Sequence, residues 1–197
     1  MFIGLFIFFI FFVAFYIKRS NREQAAVDEE FWQRENAANS TRRQDISGLP
    51  YIIIPLEKFP MGISDDPDLQ ECERALNDLS TQKILNLGTQ TNTELKLKYG
   101  PANLEILSSY DQNFATLCRA LISYAQCLLS QGYTNEAQTV LEFGIECGSD
   151  HSQNYRMLAE LYDAQGRRDQ IKALISRAET LDSPMKQAIL SHLKDHL

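Results

Sequence analysis

LISYAQCLLSQGYTNEAQTVLEFGIECGS, residues 121–149, is the stretch on which the fold turns. Displaced by 34 residues, it meets YRMLAELYDAQGRRDQIKALISRAETLDS, residues 155–183, without a gap. Leu121 meets Tyr155, Tyr124 meets Leu158, Ala125 meets Ala159 and Leu128 meets Tyr162. Gly132 meets Gly166; beyond it Ala137 meets Ile171, Leu141 meets Ile175, Gly144 meets Ala178 and Ser149 meets Ser183. Self-similarity at a fixed period of this length marks a repeated supersecondary unit. Apolar residues keep helical spacing on both sides of each glycine. SQGYTNEA, residues 130–137, therefore reads as a turn between two helices and not as a ligand loop.

This register resembles the tetratricopeptide repeat (TPR) over about residues 118–184. The resemblance implies an all-α fold, a TPR-like helical-hairpin solenoid of two repeats. In that family small residues let the two backbones of a hairpin approach closely, as Ala125, Ala159 and Ala137 would here. Ile171 departs from the usual alanine, which implies looser packing of the second hairpin. Two repeats need covering at both ends. PMKQAILSHLKDHL, residues 184–197, reads as a capping helix with Met185, Ala188, Ile189, Leu193 and Leu197 inward. On the other side, residues 102–117 and a helix near 67–79 can cover the first repeat. The whole chain also resembles small membrane-anchored TPR proteins of Gram-positive bacteria, a resemblance that carries no activity with it.

In TPR proteins one face of each first helix lines a concave groove that takes a protein or peptide partner. Carried onto this register, that face is Arg119, Ile122, Gln126 and Leu129, then Gln153, Arg156, Glu160 and Asp163. Arg119 and Arg156 are suited to a partner's carboxylate, which a guanidinium holds in two parallel bonds. Pairing with the chain's own acids, or with water, is the alternative.

Residues 1–17, MFIGLFIFFIFFVAFYI, hold seven phenylalanines and no charge. As a helix they rise roughly 25 Å, a little short of a ~30 Å hydrocarbon layer. Lys18 and Arg19 can snorkel, and Tyr16 suits the interface. A cleaved secretory signal would need a basic start and a small-residue cleavage site, and neither is present. Residues 1–18 are thus expected to form a transmembrane anchor. Lys18, Arg19, Arg22, Arg34, Arg42 and Arg43 all follow it, which places the C-terminal domain in the cytoplasm. Cys72, Cys118, Cys127 and Cys147 fit a reducing compartment as helical core thiols; their even number leaves a disulfide framework open.

After the anchor, residues 19–48 read as a polar juxtamembrane stalk, helical at first, with Phe31-Trp32 as its one aromatic pair. GLPYIIIPLEKFPMG, residues 48–62, carries three prolines, which forbid a helix and exclude a central strand. Tyr51, Ile52, Ile53, Ile54, Leu56 and Phe59 are too apolar to leave in water. Segment 49–62 is expected to lie extended across the downstream helices, or else to be an exposed partner-binding strand. Residues 63–100 read as a helical lead-in. Ser64, Asp65 or Asp66 caps its helix, and Leu69, Cys72, Leu76 and Leu79 form the stripe. Residues 81–100 support helix and strand equally. From Pro101 to Gly132, Leu107, Phe114, Leu121 and Leu128 recur every seven residues, as do Tyr110, Leu117 and Tyr124. That predicts one long helix, or two broken near Asp111, opening a TPR-like domain over 101–197.

A net charge of −7 lacks the basic stripe that nucleic acid requires. No phosphate loop, dinucleotide fingerprint or nucleophile elbow is present, and no enzyme activity, cofactor or metal is expected. His192 and His196 sit at a permissible metal spacing, but HLKDH lacks the glutamate of a zinc hydrolase and any third ligand. The expected function is a membrane-anchored adaptor displaying a TPR groove to a protein or peptide partner. The alternatives are a self-assembling structural membrane protein whose groove is filled in cis by residues 48–62, and a receptor for protein import or export.

Overall fold

The computed structural model describes residues 2–196, though not every side chain before Val27. The fold is all-α, with no strand among the described residues. In chain order the helices are α1 (Phe2–Asn39), α2 (Pro67–Ser80), α3 (Asn92–Tyr99), α4 (Leu104–Ser130), α5 (Thr134–Glu146), α6 (Ser152–Ala164), α7 (Arg168–Glu179) and α8 (Lys186–Lys194). They divide into two compact units, each built from separated pieces of chain. The first joins Met1–Ile46 to Thr91–Leu104, and the second joins Ser47–Gln90 to Glu105–Leu197.

Among the described residues no helix is long and apolar enough to cross a membrane. The anchor expected over residues 1–18 falls largely on side chains outside the described set. Phe12, Phe15, Tyr16 and Ile17 are described, and all four are exposed.

The first unit pairs the end of α1 with α3. Stretch 19–48, expected to be helical only at its start, is helical through Asn39 because its last turns find cover. Ala38 and Leu95 are buried, and Glu35 takes an ion pair from Lys96 and a 2.8 Å hydrogen bond from the Thr93 hydroxyl. Those two donors, Lys96 foremost, hold the Glu35 carboxyl below the usual range. Thr91 and Glu94 close a reciprocal capping box at the start of α3. The residues after α1 are tied down by Asn103, which is fully buried. Its amide donates to the carbonyls of Gln44 (2.8 Å) and Tyr99 (2.7 Å), and its oxygen accepts from Arg43 Nε at 3.1 Å. Gly100, between α3 and the turn carrying Asn103, has φ +85°, and a Cβ there would lie 2.8 Å from Arg43 Cα. Phe31 and Trp32 stack edge to face at 5.4 Å and stay exposed.

The second unit shows how the 34-residue period is written in backbone. Gly132 ends α4 at φ +84° and Gly166 ends α6 at φ +68°. Tyr133 N–H bonds the Leu128 carbonyl, and Gly132 N–H bonds that of Leu129. One period later Arg167 bonds Tyr162, and Gly166 bonds Asp163. Both are the same left-handed glycine cap, which satisfies carbonyls that a helix end would otherwise orphan. Each is followed at once by the next helix, α5 or α7. SQGYTNEA is thus the turn of a helical hairpin. Ala125, Ala159, Ala137 and Ile171 are all 0 % exposed, so the larger Ile171 is absorbed within the core.

α4 is a single helix with no break at Asp111, preceded by a 3-10 turn at Pro101–Asn103. Of its seven heptad-spaced residues, all are buried but Tyr110, which is half-buried. The 48–62 segment docks in cis on this helix and on α5. Ile54 and Phe59 are buried, and the Phe59 ring meets Phe143 edge to face at 5.5 Å and Tyr124 at 6.5 Å. The Tyr124 hydroxyl lies 3.1 Å from the Pro60 carbonyl. Of Tyr51, Ile52, Ile53, Ile54, Leu56 and Phe59, Ile53 alone is exposed, at 84 %. Next, Asp66 caps α2, accepting from Asp68 N–H at 3.1 Å and Leu69 N–H at 3.0 Å. Leu69, Leu76 and Leu79 are buried, and Cys72 is half-buried. Glu73 is a buried acid in the same helix. Its carboxylate accepts from Gly62 N–H at 2.8 Å and lies 3.4 Å from the Tyr124 hydroxyl.

The undecided stretch 81–100 holds both an irregular crossing and α3. Ile84 and Leu85 are buried on bonds to Ile52 and Tyr110 of the second unit. The capping face of α8 is rotated from the expected one. Ile189, Leu190 and Leu193 turn inward, whereas Met185 and Ala188 are exposed, and Leu197 lies outside the described residues. α8 packs on both α6 and α7, and that cover selects Leu190 over Ala188.

Candidate functional site

The eight residues expected to line a groove fall on α4 and α6, and the structure does not leave them as one free surface. On α4, Ile122 is buried in the core and Leu129 packs half-buried against it. Both are apolar, and the core takes them. Arg119 and Gln126 stay exposed, with Arg119 donating to the Thr116 hydroxyl at 3.1 Å.

On α6, Arg156 bonds the Gln153 side chain and lies 3.9 Å from Glu160. These are exposed contacts within one helix, each worth only a few tenths of a kcal/mol, about 0.3–0.5. A partner's carboxylate can displace them. Asp163 sits 3.1 Å from His196 Nδ1, so the end of the chain already engages it. Gln153 and Arg156 line a cleft of about 200 Å³ with Ser152, Ala188, Ile189 and His192. The Nε2 of His192 is buried without a hydrogen-bond partner. The cleft brings together Gln153 and Arg156 of the expected set and leaves out Arg119, Gln126, Glu160 and Asp163.

A larger cavity, of about 440 Å³, lies where the end of α5, the start of α6, the end of α7 and the 86–89 crossing meet the middle of α4. Its polar lining includes Asn86, Asp111, Asp150, Arg177 and Asp182. Each carboxylate already holds one neighbour. Asp111 accepts from Leu87 N–H (3.1 Å), Asp150 from the Ser183 hydroxyl (2.7 Å) and Asp182 from the Thr89 hydroxyl (2.6 Å). Tyr155 is 1 % exposed, and its hydroxyl has no partner. Burial pushes that phenol up to about 12, with Arg177 opposing and Asp150 assisting, so it keeps its proton at neutral pH. Sequence reasoning missed this cavity. Its one legible signal was a hydroxyl at Tyr155, where the preceding repeat has Leu121.

None of this assembles a nucleophile with its base. Among the described residues, no group of three or more His, Cys, Asp or Glu side chains is placed to hold a metal ion. His192 and His196 stack edge to face at 5.1 Å. No protein-family model, no curated protein and no solved structure matches this chain.

Proposed function

We propose that this chain is a membrane-anchored interaction module, a TPR-like domain that holds a protein or peptide partner at the cytoplasmic surface of a membrane. The observation that carries the reading is the recurrence, 34 residues apart, of one glycine-capped turn between paired helices. A repeated hairpin is a scaffold for an extended binding face, and such faces take peptides by groove docking. The cleft lined by Gln153 and Arg156 supports a partner with an exposed carboxylate, because the Arg156 guanidinium is exposed and held only by contacts within its own helix. In this reading the apolar residues 1–17 confine the domain to a surface, and confinement raises effective concentration without new contacts.

The experiment compares full-length protein with an Arg119→Glu/Arg156→Glu double variant in affinity capture from solubilised membranes, read by mass spectrometry. Both substitutions are on exposed side chains, so circular dichroism should show an unchanged fold. A stoichiometric partner lost from the folded variant supports the module. An identical set of captured proteins refutes this face as the binding surface.

A second reading is favoured by the docked 48–62 segment. With Phe59 and Ile54 in the core, the domain can be a structural element completed by its own strap, with self-association through another face. Capture of the chain's own copies alone, unchanged by the double variant, supports that reading.

A further inference from the structure

The four cysteines are all free thiols, and two of them meet. Cys72 on α2 and Cys127 on α4 stand 55 residues apart in sequence, yet their Sγ atoms are 3.8 Å apart. Both are half-buried, so the pair sits at the edge of the helix contact, within reach of a small reagent. Flanking residues fix the two helices in place. Leu69 and Leu76, one turn either side of Cys72, are fully buried, as are Tyr124 and Leu128 beside Cys127. Neither sulfur can drift far from the other while those side chains stay packed.

We propose that Cys72 and Cys127 form a dithiol site that a low-molecular-weight disulfide oxidises to an internal disulfide, pinning α2 to α4. The exchange balances in two steps. The thiolate of one cysteine attacks the reagent's S–S bond, forming a mixed disulfide and releasing one small thiol, which takes up the proton. The second cysteine then attacks the protein sulfur of that mixed disulfide, releasing the second small thiol. Two protein thiols and one small disulfide become one protein disulfide and two small thiols, with two electrons passing to the reagent.

The surroundings make this site a slow latch and not an exchange catalyst. Burial first, then contact with Cys127, pushes the Cys72 thiol up to about 12, and Glu71 and Asp68 add to the effect. Reactive exchange cysteines sit near cations or helix N-termini, and Cys72 sits among acids. Few Cys72 thiolates form at neutral pH, so attack from Cys72 is slow. Once closed, a sulfur that is a poor thiolate is also a poor leaving group, so reopening is slow too. The same acids set the reagent preference. A cationic disulfide such as cystamine should react faster than anionic oxidised glutathione, and added salt should narrow the gap.

The latch acts on the strap. Glu73 adjoins Cys72, and its carboxylate holds Gly62 N–H at 2.8 Å beside the Tyr124 hydroxyl. Opening α2 from α4 breaks that cluster and frees the strap's end; a disulfide one residue away forbids the opening. The inference stands whether or not the α4 and α6 faces take a partner.

Full-length protein in mild detergent is treated with cystamine, quenched with N-ethylmaleimide and mapped unreduced by mass spectrometry. The expected product is a Cys72–Cys127 linked peptide, lost in Cys72→Ser and Cys127→Ser and retained in Cys118→Ser. Its rate should rise roughly tenfold per pH unit between about 7 and 8, as the thiolate fraction does. Amides of residues 62–76 should exchange at least roughly tenfold more slowly after oxidation, because local opening is what exposes them. A Cys118–Cys147 linkage, mixed disulfides without a linkage, or linkage only in urea overturns the site. Linkage without slowed exchange overturns the latch.

Discussion

Removing the Phe59 ring tests whether the 48–62 segment belongs to the core or merely lies on it. Phe59 is 6 % exposed and faces Phe143 and Tyr124 at 5.5 and 6.5 Å, in two different helices. Truncating a buried phenylalanine to alanine costs about 3–5 kcal/mol, as lost transfer energy plus the cavity left behind. The edge-to-face pairing with Phe143 contributes about 0.5–1.5 kcal/mol of that. The strap has no helix of its own over Phe59 and can settle inward, which places Phe59→Ala near the lower end, at about 3 kcal/mol. At a urea slope of ~1–3 kcal/mol/M, the midpoint of unfolding should fall by about 1–3 M. The assay is urea titration of full-length protein in detergent, followed by far-ultraviolet circular dichroism. Ile53→Ala is the matched control, since Ile53 lies on the same strap at 84 % exposure and should move stability by no more than about 0.5 kcal/mol. A loss below about 1 kcal/mol for Phe59→Ala, or an equal loss for Ile53→Ala, would refute the docked strap.

The remaining predictions use the same titration or hydrogen exchange. Gly100→Ala should cost about 2 kcal/mol or more, because a left-handed φ and a 2.8 Å clash with Arg43 backbone act together. Gly132→Ala, with a similar φ of +84° but open space around it, should cost only about 1–2 kcal/mol. Asp66→Ala removes two accepted bonds at the start of α2 and should cost about 1 kcal/mol, with Asp66→Asn nearly neutral. Glu35 has a folded pKa below its ordinary 4.5, so its contribution is complete above that value and is lost as the pH falls through the lower folded value. Protection of α3 amides should therefore weaken on acidification below about pH 4.5, and Glu35→Gln should flatten that dependence.

The hairpins were legible because each helix needs an apolar face and each turn needs a left-handed residue, and glycine at 132 and 166 supplies it. The long α4 was legible from its heptad spacing, and the docking of 48–62 from apolar residues that water would not tolerate. Other features answer to partners far along the chain. α3 has eight residues and almost no apolar face, and it is held by its Thr91 cap and by Glu35. The crossing at 84–87 is fixed by Ile52, Tyr110 and Asp111. Glu73 offers no local reason to be buried, since the groups it meets lie 11 and 51 residues away. Of the candidate site, the positions on α4 and α6 followed from the repeat register. That Ile122 and Leu129 are drawn into the core did not, because a groove face and a core face differ only in what covers them. The cavity around Tyr155 draws on five separated stretches and leaves no contiguous motif.

The divided make-up of the first unit bears on how the chain is made and how it should be cut. α1 leaves the ribosome long before residues 91–104 exist, so Ala38 and Glu35 wait for Leu95 and Lys96 while some fifty further residues are synthesised. A fragment begun after Ile46, the natural place to shed the apolar start, keeps α3 and discards the helix it rests on. Leu95 would then face water, and Lys96 would lose its carboxylate. A fragment that keeps α3 on its partner helix must begin upstream of Arg34, within α1 itself.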